Sequence, residues 1–187
     1  MTRIYLGIGT NTNRDHHLRL GLDALEQLLG PLYLSPVFES DAVGILGARF
    51  YNMVVAVDCV LELVDLNVAL KAIEAACGRR EQKVAGRITL DIDILLYGDL
   101  AGQHHGVKLP RPEIYYNAFV LWPLALLAPK LSVPGSDQTV AALWQAWRGQ
   151  QKVWPVAFDW RGQALTPDLL LRQAVPVSEP APGSGAA

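Results

Sequence analysis

The stretch Arg87-Ile-Thr-Leu-Asp-Ile-Asp-Ile-Leu-Leu-Tyr-Gly98 allows few folds. As a strand, its period of two sends Asp91 and Asp93 to one face and Ile92 and Ile94 to the other. One strand repeat separates the carboxylates by roughly 6.6 Å, at about 3.3 Å of rise per residue. At that spacing they can converge on one hard cation, or on two cations that bridge a polyphosphate. Upstream, Arg79-Arg80-Glu-Gln-Lys83-Val-Ala-Gly-Arg87 is a basic, glycine-containing run suited to anionic oxygens. An Asp-x-Asp by itself reads as a solvated strand face. The basic run and the apolar flanks turn this one into a nucleotide-phosphate site.

Composition excludes several classes. A chain of 187 residues, 51% hydrophobic and 18% charged, has the make-up of an ordinary globular protein with enough material for a core. A net charge of -2 gives no electrostatic case for nucleic-acid binding. Cys59 and Cys77 lack metal-type spacing and fit a reduced, cytoplasmic setting. The N-terminus has no long apolar signal region, and no run reaches the roughly 20 apolar residues of a membrane span. A soluble protein without a membrane or nucleic-acid partner is expected.

Taken in order, Arg3 to Ile8 reads as a strand that closes on a turn-rich Gly9-Thr-Asn-Thr-Asn13. Asn13 or Asp15 then caps a helix through Leu29, with Leu18, Leu22, Leu25, Leu28 and Leu29 at helical spacing and Gly30-Pro31 as its stop. Leu32 to Phe38 predicts a second strand, Phe50 to Val60 a buried third, and Asp65 to Cys77 a second helix. The Asp-x-Asp strand comes next, then a small hairpin over Asp99 to Leu109. An apolar helix over Phe119 to Leu127 and a short one over Thr139 to Trp147 complete the pattern. The order β-α-β-β-α-β matches the split βαβ plan of ferredoxin-like folds, an α+β class with a mixed or antiparallel sheet flanked by helices. One domain over 1–160 is expected. Residues 161–187 form a C-terminal extension, with the Pro/Ala/Gly/Ser-rich end from Ser178 disordered.

The motifs also carry a resemblance. Gly7-Ile-Gly-Thr-Asn11, Tyr51-Asn52, Ile73-Glu74, Gly78-Arg79, Thr89-Leu-Asp-Ile-Asp-Ile-Leu-Leu-Tyr-Gly98, Leu109-Pro110 and Phe119-Val-Leu-Trp-Pro-Leu-Ala-Leu-Leu-Ala-Pro129 come in sequence. As an ordered set they resemble the 6-hydroxymethyl-7,8-dihydropterin pyrophosphokinases, which transfer pyrophosphate from ATP to a pterin alcohol in folate biosynthesis and release AMP. The resemblance runs from about Ile4 to about Trp147. It implies that Asp91 and Asp93 hold two magnesium ions between the ATP phosphates. It makes Arg79 and Arg87 the catalytic arginines, and Glu74, Arg80, Lys83, Ile94, Lys108 and Arg111 the ATP contacts. The pterin falls to Ser40, Val43, Gly44, Phe50, Asn52 and Phe119, where an amide can read its edge and rings can stack on its face. A monomer or weak homodimer is implied.

The chain departs from that family pattern at several places. The usual Gly-Pro-Arg-Thr before the metal strand is Gly86-Arg87-Ile88-Thr89, so the arginine comes one residue early and, in an extended chain, faces the opposite side. Pro110-Arg111-Pro112 replaces a Pro-His motif, leaving Arg111 as a phosphate ligand without a titrating imidazole. Asn117 stands where an arginine is usual, and Ser40-Asp41 where Thr-Pro is usual. These departures open two alternatives: the same chemistry on a different pterin-like alcohol, or a non-catalytic pterin- or nucleotide-binding relative. The intact Asp91 and Asp93 argue against the second, since adjacent carboxylates without a cation repel.

Overall fold

The computed structural model describes residues 1–42, 48–78 and 86–173. The chain runs β1 (Thr2–Thr10), α1 (Arg14–Leu29), β2 (Tyr33–Leu34), β3 (Val37–Ser40), β4 (Phe50–Cys59), α2 (Leu63–Ala76) and β5 (Asp91–Tyr97). A hairpin of β6 (Gly102–His104) and β7 (Val107–Leu109) comes next, then α3 (Glu113–Tyr116), α4 (Ala118–Leu127) and α5 (Val140–Ala146). The C-terminal part adds β8 (Val153–Val156), β9 (Asp159–Trp160), β10 (Gln163–Ala164) and α6 (Asp168–Gln173). The main sheet has the order β5-β1-β4-β3-β8, with β2 pairing on β4, and each pairing is antiparallel. Its first four strands reproduce the ferredoxin-like order, so the α+β expectation holds and the sheet is antiparallel rather than mixed.

Both faces of this sheet are covered, and the sequence shows why. In β4 the alternation places Met53, Val55 and Val57 in the core under α1 and α2, and Val54 in a second core under α4 and α5. Leu18, Leu22 and Leu25 of α1 are fully buried, each such side chain stabilising by about 1.5–3 kcal/mol. Gly21 lets that helix lie close to the entry of β5, since a Cβ there would come within 3.0 Å of Leu90 Cδ1. Asn13 precedes α1 in a left-handed conformation at φ 43° and makes no side-chain cap, so it acts through its backbone tolerance. Gly30, at φ 89°, ends the helix and donates its N–H to the Glu26 carbonyl.

Three expectations need correction. The strand expected over Leu32 to Phe38 is two pieces, because Pro36 interrupts the ladder and Ser35 turns inward instead: its N–H donates to the Val54 carbonyl, and its Oγ accepts from the Val54 N–H at 2.9 Å. The second helix begins at Leu63 with Glu62 before it, which puts Asp65 in the first turn rather than at the cap. The one-turn helix α3 has no counterpart among the elements expected from the sequence. Thr139 does cap α5, its hydroxyl accepting from Ala142 N. The run from Ser178 lies outside the described residues.

One irregularity in β5 shapes the chain around it. The register with β1 shifts so that Leu6 pairs with Ile94 while Tyr5 pairs with Leu96, leaving Leu95 as an extra residue. Below this bulge Ile92 and Ile94 enter the α1/α2 core, and above it Tyr97 does so too; Leu95 and Leu96 turn to the α4 side. The displaced Leu95 carbonyl accepts the Arg111 N–H at 2.9 Å. The bulge therefore fixes the chain that returns past the carboxylates.

Candidate functional site

On the α4 side of the sheet, a cavity of about 310 Å³ opens between the strand ends and the α3–α4 segment. Gly7 and Gly9 of β1 form its floor, with Asn52 and Val54 of β4 beside them and Asp91, Asp93 and Leu95 of β5 along one side. Ser40, Asp41 and Phe50 close the far end, while Arg111, Glu113, Asn117, Phe119 and Val120 form the opposite wall. The alternation read from the sequence is thus realised, with both aspartates facing the cavity and Ile92 and Ile94 the core.

The carboxylate end is strained electrostatically. Arg111 Nη2 lies 3.1 Å from Asp93 Oδ1 and 3.3 Å from Glu113 Oε1, and its Nε is buried without a hydrogen-bond partner. One guanidinium therefore faces Asp93 and Glu113 while Asp91 stands one strand repeat away. Burial, and then the charge of Asp91, push Asp93 up from its ordinary 3.8 to about 6, although Arg111 and Lys71 pull it back. A buried Asp93 whose ionisation is opposed by burial and by the neighbouring Asp91 fits a hard divalent cation that would neutralise that charge. Among the described residues no group of three or more metal-ligating side chains exists. The two carboxylates on one face of β5 suit magnesium, which takes one or two protein carboxylates and completes its shell with water and phosphate oxygens.

At the other end the one carboxylate, Asp41, pairs with Arg49 Nε at 3.1 Å, and the remaining lining is uncharged. Asn52 is 5% exposed and its Nδ2 donates to Ser40 Oγ at 2.9 Å, which leaves its second N–H and its Oδ1 for a ligand. Phe50 and Phe119 are half-buried and line the same space. Trp122 does not share it: it packs on Phe38, ring centroids 4.7 Å apart, and stacks on Trp144 at 5.1 Å.

Beside the carboxylates a second hollow of about 450 Å³ shares Asp93, Arg111 and Glu113 with the first. Ile94 and Lys108, for which the sequence resemblance implies ATP contact, lie in its wall together with Asn67, Lys71 and Tyr116, which no sequence motif singles out. Glu74 lines neither space. It is only 1% exposed, and its Oε1 accepts the Ile92 N–H at 2.8 Å, between the two aspartates, and pairs with Lys71 Nζ at 2.9 Å. Its partners support β5 from below. Arg87 is exposed, whereas the next residue, Ile88, lines the cavity. Asn11 holds this entry in place: its Nδ2 donates to Gly86 O and its Oδ1 accepts from Ile88 N, both at 2.6 Å. Arg79, Arg80, Lys83, Val43 and Gly44 lie outside the described residues.

Comparison with known proteins points one way. Residues 5–129 match the model of the family described as 7,8-dihydro-6-hydroxymethylpterin-pyrophosphokinase. The 2-amino-4-hydroxy-6-hydroxymethyldihydropteridine pyrophosphokinase of Pseudomonas aeruginosa is 39% identical over 136 residues, covering 71% of this chain and 84% of that one. The protein of the same name from Aquifex aeolicus is 32% identical, covering 72% and 85%. Among solved structures, wild-type Plasmodium falciparum HPPK-DHPS with pteroate superposes with a TM-score of 0.62 at 14% identity, over 77% of this chain. At that identity the likeness shows the fold, and this chain spans only 42% of that longer one. Among the described residues no helix is long and apolar enough to cross a membrane.

Proposed function

Since the chain belongs to the 7,8-dihydro-6-hydroxymethylpterin-pyrophosphokinase family, we infer that it transfers pyrophosphate from ATP to the hydroxymethyl oxygen of 6-hydroxymethyl-7,8-dihydropterin and releases AMP. The observation that carries this reading is the meeting, in one cavity, of Asp91 and Asp93 with Phe50, Asn52 and Phe119. A cation-hungry end and a flat end of aromatic and amide groups are what a polyphosphate and a pterin require when their reacting atoms must touch.

Asp91 and Asp93 hold the two magnesium ions of this reading. When bound, magnesium neutralises charge across the phosphates and draws electron density from the phosphorus under attack. Arg111 takes a phosphate oxygen, its guanidinium lining both hollows beside Asp93. Lys71, Lys108 and Ile94 flank the nucleotide in the neighbouring hollow. Glu74 serves it indirectly, through the Ile92 N–H. Phe50 and Phe119 stack on the pterin, while Asn52, held by Ser40, reads its edge. The attacking hydroxymethyl group needs no strong protein base, because orientation and charge stabilisation lower the barrier enough. The roles of Arg79, Arg80, Arg87 and Lys83 on the phosphates, and of Val43 and Gly44 at the pterin rim, are proposed from the sequence resemblance. The protein works in the cytoplasm as a monomer or weak homodimer.

The test is AMP release from ATP and magnesium, with and without the pterin alcohol. Pterin-dependent AMP is the expected result. ATP binding without AMP would move the search to other pterin-like alcohols, and absence of ATP binding would reject the reading.

A further inference from the structure

Residues past the end of the family match reach back into the cavity wall. Asn117 precedes α4, the helix that carries Phe119, and its own side chain does not cap that helix. Gln151 does so instead. Its Oε1 accepts the Ala118 N–H at 2.7 Å, and its Nε2 donates to Asn117 Oδ1 at 2.9 Å. Residue 151 lies beyond residue 129, where the family match stops. The next residues hold the opposite wall: Lys152 O accepts the Asp41 N–H at 3.4 Å, Val153 pairs with Ser40, and Trp154 receives the Arg49 guanidinium 4.7 Å from its ring centroid.

The hydrogen bonds have a direction that chemistry fixes. A backbone N–H can only donate, so the Gln151 oxygen must face Ala118 and its amide nitrogen must face Asn117. Asn117 must then turn its Oδ1 to Gln151. Its Nδ2 is the group left for whatever occupies the cavity that Asn117 lines. We propose that Gln151 is a specificity-determining positioning residue, which sets the Asn117 amide to donate to an acceptor oxygen of the bound ligands. This rests on the pyrophosphokinase reading for the identity of those ligands. The oxygen belongs either to the pterin or to an ATP phosphate, and the two sources can be separated.

Gln151→Glu reverses the polarity with almost no change of shape. The carboxylate still accepts from Ala118 N, and a negative charge at a helix start is stabilising. Its second oxygen can only accept, so Asn117 must flip and present Oδ1 to the cavity. Asn117→Asp reaches the same end from the other side. Binding of a non-hydrolysable ATP analogue with magnesium is measured first, then that of the pterin alcohol to the loaded protein. Both variants are expected to weaken the same arm about tenfold, with the other arm and the melting temperature near wild type. Unchanged affinity in both arms overturns the proposal, as does loss of both arms together with a collapsed melting temperature, which would make Gln151 a structural cap alone. A wild-type protein that binds neither compound removes the pyrophosphokinase reading and this inference with it. Wild-type binding that the variants match removes only the inference.

Discussion

At the β5 end of the cavity, the Arg111 guanidinium lies between Asp93 and Glu113, Asp91 lines the same side, and burial opposes the ionisation of Asp93. At the β3–β4 end, Asn52 rests on Ser40 and Asn117 on Gln151, all uncharged and hydrogen-bonded within the protein. The first end is held at an energetic disadvantage that a cation would relieve; the second already has its amides hydrogen-bonded within the protein. Metal and nucleotide should therefore change the protein when they bind, whereas the pterin should meet a surface that scarcely rearranges.

The sharpest way to break this contrast is at Asp93. Asp93→Asn should reduce turnover about a thousandfold or more, measured as AMP release at saturating substrates. Its melting temperature in chelator at pH 8 should nevertheless match or exceed wild type, because the charged form that burial and Asp91 disfavour is gone. A variant that melts markedly lower would place the carboxylate among the structural groups. Phe119→Ala should raise the pterin KM roughly tenfold to a hundredfold while leaving ATP affinity alone; equal losses for both substrates would erase the division between the two ends. Arg111→Ala should weaken ATP binding about tenfold with little change in pterin KM, read by titration calorimetry.

The smallest effect concerns protons. The Asp93 carboxyl in the folded, metal-free protein titrates at about 6, above its ordinary 3.8. Its contribution to stability is therefore complete below about pH 4 and is lost as the pH rises through about 6. In chelator, wild-type melting should fall by at most a few degrees over that interval relative to Asp93→Asn. A flat difference between the two proteins would remove the electrostatic strain ascribed to the β5 end.

Periodicity made much of this legible. The alternation in β5 placed the two aspartates on one face, and helical spacing in α1 found the buried Leu18, Leu22 and Leu25, because both patterns are local. That spacing also took in Leu28, which is exposed at the end of the helix. The division of Leu32 to Phe38 was signalled by Pro36, which a reading of apolar content passes over. Glu113 and Lys71 carry no sequence signal, since their place beside Asp93 depends on how α3 and α2 pack on β5. Glu74 could be found as a helix glutamate, but its burial beneath Ile92 is a tertiary fact. Val153–Val156 escapes notice as a strand because it is short and contains Pro155, and its partner β3 precedes it by more than half the chain.

That late strand also bears on how the protein behaves among its neighbours. With β8 in place, β3 is paired on both sides and the outer position of the sheet passes to a four-residue strand in which Pro155 lacks an N–H. Removing it would uncover the β3 backbone, an invitation to pair with a strand of another molecule. A chain cut where the family resemblance stops would then risk self-association, and its loss from solution could be mistaken for a defect in catalysis.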